Sequence, residues 1–512
     1  MFKGEFKDMR ILFINFNLNA TPGINNGLAI LSAVLKKNNH QVGLIFLCEE
    51  LGYGFDLSRI RHDIVKAKPD IIGISLMETQ LQYMVDFCND LRTYYKGLVI
   101  CGGPHPTMDP EDSLSIRGID AVCVGEGDDA LVELAEALEV GRNYKNIRNL
   151  WFKVPNGLII KNKLRPFKNL NELPPEDKEL FDLDKILPIK NYQLETIRGR
   201  GCVYECSYCI NHSYLEKYQK LCEKVVTTKE YVRAKKTDTV LTEIKDTVSK
   251  HPQIQKIAFV DDDFLMYPDL EEFCTKYKEE IGLPFICNLS PLSFNFLKGK
   301  SLREAGCEVI RLGVESGSER IKKEVMKRPI SNRSICRTSN GALELGLGTS
   351  FYNMIGLPTE TKEDIFKTLR LNAALRPDIV KLMTFYPFKN TPLYNLCIKL
   401  NLIDYDKMDS LDSYDTYTCL KFPQIHQLFL KKIQTAFNWY INLFLENAAS
   451  PRYKALIKTI ESMTEEEWEK FDFLAVDEEV SKNFRKKGVL HYLKFLNRSL
   501  AVKFPSEHEK SN

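Results

Sequence analysis

At 512 residues the chain exceeds what one ordinary core holds, and its length predicts about three domains. Hydrophobic residues at 44% and charged residues at 27% exclude a disordered or membrane-embedded chain. The 71 basic and 69 acidic side chains leave a net charge of +2, which excludes a global electrostatic bias toward nucleic acid or anionic lipid.

Lys3, Glu5, Lys7 and Asp8 break up the N-terminus where a secretory signal would need an apolar core, and no uncharged run reaches the ~20 residues of a membrane span. A cytoplasmic protein without a membrane span is therefore expected. In a reducing compartment its 14 cysteines do not form a disulfide framework, so a tight cysteine cluster reads as a metal or redox site. Scattered ones such as Cys88, Cys123 and Cys307 read as small buried hydrophobes.

The first stretch alternates β-like runs with amphipathic helices. The runs are Arg10 to Phe16, Gln41 to Phe46, Asp70 to Ser75, Gly97 to Cys101 and Asp120 to Val124. The helical spacers include Leu28 to Lys37, Gln80 to Tyr95 and Ala130 to Leu138. The pattern predicts an α/β domain over residues 1–148 with a doubly wound parallel sheet, whose ligand lies beyond the carboxyl ends of its strands. Residues 149–190 read as a linker with a hairpin, Leu150 to Val154 and Leu158 to Ile160 about a turn at Asn156-Gly157, followed by Pro174-Pro175.

Alternation resumes over residues 191–395, with strands ending near Arg200, Val260, Leu289, Val314, Ile355 and Phe385. Six β/α units predict a partial barrel with its chemistry at the carboxyl ends of the strands. Residues 396–512 read as a helical region, with aromatic stretches such as Ala436 to Phe444 serving helix packing. The short basic runs Arg233-Ala-Lys-Lys236 and Arg485-Lys-Lys487 read as solvated helix faces.

Directly after the first barrel strand stands Arg198-Gly-Arg-Gly-Cys202-Val-Tyr-Glu-Cys206-Ser-Tyr-Cys209. Three thiolates on one short loop can each take one iron of a cubane cluster and leave the fourth iron open for a non-protein ligand. A zinc site would need a fourth ligand, for which His212 is near enough in sequence. The spacing, with Tyr208 before the third cysteine, resembles the signature of the radical S-adenosylmethionine (SAM) superfamily. The resemblance implies that Cys202, Cys206 and Cys209 hold a [4Fe–4S] cluster, that SAM chelates the open iron, and that one electron cleaves SAM to a 5′-deoxyadenosyl radical.

Later strand ends extend the likeness. Phe259-Val-Asp261-Asp262-Asp-Phe264 resembles the family's acidic element, which implies carboxylates for the SAM amino group. Gly313-Val-Glu315-Ser-Gly-Ser318 resembles Gly-x-Glu-Ser-Gly-Ser, with Glu315 toward the ribose hydroxyls. Gly356-Leu357-Pro358-Thr-Glu-Thr361 resembles Gly-Leu-Pro-Gly-Glu-Thr, where backbone atoms meet adenine. Here Thr359 replaces the usual glycine. Ser290 at the third strand is a further candidate ribose contact.

In the N-terminal domain, Asn26 to Val42, Ser75-Leu-Met77, Gly102-Gly103-Pro-His-Pro-Thr107 and Val124-Gly125-Glu126-Gly127 resemble the flavodoxin-like cobalamin-binding domains fused in front of radical SAM barrels. Implied cobalamin contacts are Ser75, Gly102, Gly103, Gly125, Glu126 and Gly127, the glycines allowing close backbone approach. The Asp-x-His-x-x-Gly motif that ligates cobalt is missing: this chain reads Asn15-Phe-Asn-Leu-Asn-Ala-Thr-Pro-Gly23. That absence is compatible with a cobalamin lacking a histidine ligand and with a domain that binds none.

The family resemblance implies a cobalamin-dependent radical SAM enzyme, most often a methyltransferase acting on an unactivated carbon of a small molecule or peptide, with an electron donor such as flavodoxin or ferredoxin. Cofactors and substrate are expected to meet in a cavity between the two strand-end faces. Radical rearrangement or cyclisation without methyl transfer, tRNA methylthiolation and a non-catalytic cobalamin module are the alternatives.

Overall fold

Isoleucine- and valine-rich runs buried on both faces favour parallel strands covered by helices. The computed structural model describes residues 8–154, 157–411, 418–422, 427–494 and 499–505. Lys3, Glu5 and Lys7, and the Asn156 half of the hairpin turn, lie outside the described residues. The chain divides into two units, one comprising Met1–Val203, Cys209–Gln255 and Phe388–Thr391, the other Tyr204–Tyr208, Lys256–Pro387 and Pro392–Asn512.

In the first unit β1 (Arg10–Phe16), β2 (Gln41–Leu47), β3 (Ile71–Ser75), β4 (Leu98–Gly102) and β5 (Ala121–Cys123) form a parallel sheet in the order β2-β1-β3-β4-β5. This is the flavodoxin-like order. The period of two sends alternate residues of β1 to opposite faces. Ile11 and Phe13 join the helices Asn26–Lys37 and Asp128–Glu139, and Leu12, Ile14 and Phe16 join the helices Leu57–Ala67 and Leu81–Leu91. The hairpin expected in a linker, β6 (Leu150–Lys153) and β7 (Ile159–Lys161), pairs antiparallel onto β5 and extends the sheet. The unit also carries β8 (Gln193–Thr196) and a short antiparallel pair, β9 (Gly199–Arg200) with β10 (Arg233–Ala234).

The second unit carries β11 (Lys256–Phe259), β12 (Phe285–Leu289), β13 (Cys307–Glu315), β14 (Gly348–Ile355) and β15 (Ile379–Thr384), parallel neighbours in that order. These are five of the six expected barrel strands; the run expected to end near Arg200 is split into β8 and β9. After them the chain is mainly helical, but a hairpin, β16 (His491–Lys494) with β17 (Leu500–Phe504), escaped the sequence pattern. β17 pairs antiparallel with β15. The aromatic stretch lies in the helix Gln427–Phe444, which kinks at Ala436 and buries Trp439 completely.

The run Arg233 to Lys236 is not a solvated helix face. Arg233 is half-buried against Glu126, and the buried Lys235 donates to Glu176 at 3.2 Å and Glu243 at 2.7 Å. Burial of these cations is tolerated because each faces carboxylates. Cys88, Cys123 and Cys307 are buried and free.

Asp477 fastens the C-terminal hairpin to the helices. Its Oδ1 accepts from Asn438 Nδ2 at 2.9 Å and Trp439 Nε1 at 2.7 Å, and its Oδ2 accepts from the Lys494 N–H at 2.8 Å. Replacing it takes the acceptor from Trp439 Nε1 and the Lys494 N–H and leaves Asn438 Nδ2 only the Tyr492 carbonyl at 3.3 Å. Asp477→Ala is expected to destabilise the second unit by about 2–4 kcal/mol, read as a lower urea midpoint. An unchanged midpoint refutes this role.

Candidate active site

The residues flagged in the sequence collect at strand ends. Cys209 stands at the N-cap position of the helix Ile210–Leu221. Cys206 is buried, and Cys202 and Cys209 are partly exposed. His212, the alternative zinc ligand, faces Glu216 on its own helix at 3.5 Å. All three cysteines carry sulfur, the soft donor an iron–sulfur cluster takes. Among the described residues no three His, Cys, Asp or Glu side chains are drawn together as a metal group, so the fit rests on donor chemistry.

Arg328 was not singled out in the sequence, yet it stands beside this loop. Its Nη1 donates to Cys206 Sγ at 3.5 Å and to Tyr208 Oη at 2.9 Å, and its Nη2 donates to the Gly313 carbonyl at 2.9 Å. Glu315 Oε1 lies 3.8 Å from Nη2. A Cβ on Gly313 would come within 2.7 Å of both Arg328 Nη2 and Glu315 Oε1, so a side chain there would displace this pair. Glu315 takes a left-handed φ of 62° where the β13–β14 register breaks. Burial pushes its carboxyl up, against the pull of Arg328. Ser316 and Ser318 are consumed inside the loop: Ser318 Oγ donates to Asp364 at 2.6 Å, and Ser316 Oγ accepts from the Ser318 N–H at 3.1 Å.

The acidic element behaves unevenly. Asp261 is fully buried and accepts from Tyr267 Oη at 2.8 Å, whereas Asp262 is exposed. Asp263 accepts from Leu265 N at 3.1 Å and Ser293 Oγ at 2.8 Å, and burial lifts its carboxyl to about 6. Asp261 and Asp263 thus shape the loop, and Asp262 is the carboxylate presented outward. Ser290 is buried, its Oγ accepting from Leu292 N at 3.3 Å.

At β14 the N–H groups of Gly356 and Leu357 both donate to Glu360 Oε2, at 2.7 and 3.2 Å. The Leu357 carbonyl in turn accepts from the Glu360 N–H at 3.0 Å, so the turn closes on Glu360. Thr359 has a left-handed φ of 62°, the physical reason glycine suits that position.

In the first unit the six residues flagged for cobalamin, Ser75, Gly102, Gly103, Gly125, Glu126 and Gly127, all line one cavity of about 640 Å³. Its size is ordinary for a ligand pocket. It opens at the crevice beyond β1 and β3, where the strand order reverses. There Asn25 Nδ2 donates to Asn15 Oδ1 at 3.1 Å and Ser75 Oγ at 3.0 Å. Among the described residues the lining includes no histidine. Gly125 holds φ at 85°, and a Cβ there would sit 2.4 Å from Tyr218 Oη. A cavity rimmed by such glycines fits a large cofactor approached through its backbone.

Glu126 does something other than expected. Its carboxylate takes Arg200 at 3.0 Å and Arg233 at 2.6 Å. Burial alone would push its carboxyl up, but the two arginines hold it below the ordinary value. It is the hub of an ion-pair network with Arg200 and with Arg233, the latter expected on a solvated helix face. Arg200 lies inside the quoted cysteine motif, but nothing local marks its partner.

Glu360, fully buried, has its carboxyl lifted to about 8 by burial. A raised carboxyl binds its proton more tightly folded than unfolded. Its contribution to stability is therefore complete below about 4.5 and is lost as pH rises through about 8. Asp263 acts in the same sense through about 6. Glu360→Gln is expected to raise Tm by about 2–4 °C at pH 8 relative to the parent and to give a smaller gain at pH 5. Equal shifts at both pH values in a thermal scan exclude this account.

Residues 196–371 match the radical SAM superfamily, and residues 19–135 match the B12 binding domain. A Pyrococcus horikoshii protein named as an uncharacterized methyltransferase is 27% identical over 86% of this chain and 90% of its own. The anaerobic magnesium-protoporphyrin IX monomethyl ester cyclase of Rubrivivax gelatinosus is 23% identical over 78% of this chain and 72% of its own. Among solved structures, the cobalamin-dependent S-adenosylmethionine radical enzyme OxsB has the same fold, with a TM-score of 0.67 at 16% identity over 94% of this chain and 76% of that one. No described helix is long and apolar enough to cross a membrane. With a B12 binding domain ahead of a radical SAM domain, the chain belongs to the cobalamin-binding-domain radical SAM enzymes.

Proposed function

We propose that this enzyme is a cobalamin-dependent radical SAM methyltransferase acting on an unactivated carbon of a small-molecule or peptide substrate. The observation that carries the reading is the pairing, in one chain, of a three-cysteine loop with a glycine-rimmed cavity at the strand-order reversal of a flavodoxin-like sheet. When bound, the cluster and SAM supply an electron and a hydrogen-abstracting radical, and cobalamin supplies a methyl group. Cys202, Cys206 and Cys209 would hold three irons. Asp262, which is exposed, would accept from the SAM amino group. Glu315, Ser290 and the backbone of Gly356 and Leu357 would serve the ribose and adenine. Ser75, Gly102, Gly103, Gly125 and Gly127 would admit cobalamin, with Glu126 bracing that rim through Arg200 and Arg233.

A cavity of about 760 Å³ in the second unit offers room for a substrate. It is lined by Ile355 and Thr384 at the ends of β14 and β15 and by Leu430 and Gln434 of the kinked helix. A reductant such as flavodoxin or ferredoxin would deliver the electron. Radical cyclisation without methyl transfer is the second reading, favoured by the likeness to the Rubrivivax cyclase.

Anaerobic reconstitution tests the proposal: one cobalt per chain, four irons, and 5′-deoxyadenosine on dithionite reduction are expected for the assignment (roughly, for a single [4Fe–4S] cluster). Isotopically labelled methyl passing from SAM to product separates methylation from cyclisation. Cys206→Ala should lose most of the iron, and a protein that retains it disproves the cysteine assignment.

Gly102 gives a separate handle on cobalamin. A Cβ there would meet only Cys123 Cβ, at 3.5 Å, so a larger side chain enters the cavity without backbone strain. Gly102→Leu is expected to weaken cobalamin retention at least about tenfold, an occluded contact costing about 1.4 kcal/mol or more, while iron content stays unchanged. Cobalt retained at the parental level would place cobalamin elsewhere.

A further inference from the structure

We propose that Arg328 is a positioning residue for the cluster, raising its reduction potential through the Cys206 sulfur; this rests on the function proposed above. The guanidinium reaches Cys206 Sγ at 3.5 Å with the same Nη1 that donates to Tyr208 Oη at 2.9 Å. Its other terminal nitrogen is fixed on the Gly313 carbonyl at 2.9 Å, so the group cannot swing away without breaking that bond. The side chain is only 11% exposed, so solvent screens its charge weakly.

The backbone is built to aim it. Ile321–Val325 forms a π-helical turn, Lys327 takes a left-handed φ of 51°, and the Arg328 N–H returns to the Lys322 carbonyl at 2.8 Å. Such turns and left-handed non-glycine residues persist where the surroundings over-determine them, often at functional sites. The same segment grips the cysteine loop. Ser207 N–H donates to the Met326 carbonyl at 2.9 Å, and Ser207 Oγ donates to the Val325 carbonyl at 2.7 Å. Arg328 and Cys206 are thus held by one scaffold, 122 residues apart in sequence.

A cluster gains negative charge on accepting an electron. A fixed cation and an N–H···S hydrogen bond at a ligating sulfur stabilise that reduced state, and hydrogen bonds to sulfur are among the determinants of cluster potential. Arg328→Gln removes the charge. Arg328→Lys keeps a charge but loses the fork that spans Cys206 and Gly313.

The test is an EPR-monitored potentiometric titration, with dithionite as reductant, of full-length parent, Arg328→Gln and Arg328→Lys, each reconstituted anaerobically and compared at equal iron and sulfide content. Arg328→Gln is expected to shift the reduction equilibrium about tenfold toward the oxidised cluster, about 59 mV for a one-electron couple, with Arg328→Lys between it and the parent. If Arg328→Gln takes up no iron, Arg328→Lys decides: a lowered potential supports the role and a parental one overturns it. A parent with a reducible cluster and an Arg328→Gln variant at the same potential defeats this inference alone. A parent without a reducible cluster defeats the proposed function and the inference together.

Discussion

The short segment Tyr204–Tyr208 has almost no secondary structure of its own, and its position depends on hydrogen bonds to the stretch that follows β13. Ser207 is tied through its backbone and its hydroxyl to Met326 and Val325, its carbonyl accepts from Leu393, and Arg328 closes over Cys206 and Tyr208. A loop fixed this way keeps its conformation without a helix or strand to impose it. The constraint explains features that look costly in isolation. The π-helical turn, the left-handed Lys327 and the left-handed Glu315 lie on segments that deliver Arg328 or face it. Each is less favourable than regular backbone, and each is held by packing and hydrogen bonds that leave no cheaper alternative.

Buried charge is the second theme, and the two units treat it differently. In the first unit, cations and carboxylates are buried together: Glu126 with Arg200 and Arg233, and Lys235 with Glu176 and Glu243. Removing one partner of such a set would leave an uncompensated charge, so these networks specify geometry more than they add net stability. In the barrel, Glu360 and Asp263 are buried largely among neutral donors, and both shift toward the protonated form. There the carboxyl serves as a hydrogen-bonding bracket for a strand-end loop. A neutral acid suffices for that task, because the partners are backbone N–H groups and a serine hydroxyl.

These brackets also separate residues with an outward face from residues that only shape the loops. Of the two aspartates in the acidic element, Asp261 is turned into a hydrogen bond with Tyr267 and Asp262 faces solvent. In the glutamate-serine element, the serines tie the loop to the helix Lys362–Leu375 or to each other, and Glu315 stands at the strand end with Arg328. A motif read as a string gives all its polar residues equal weight. The folded loop spends most of them on itself.

The amino-acid sequence alone determined the alternation of strands and helices in both α/β regions, because a period of two or of 3.6 is a property of neighbouring residues. Strands β1 to β5 and β11 to β15 start and stop close to where their apolar runs do. It also determined the cysteine spacing and the glycine positions, which are equally local. The pairing of β17 with β15, the Arg233–Glu126 pair 107 residues apart and the Arg328–Cys206 contact 122 residues apart were not legible. Nothing in the spacing of either partner marks the other. Such contacts exist only after the strands have chosen their neighbours, and so the tertiary structure alone decided which charges are paired and which thiol an arginine attends.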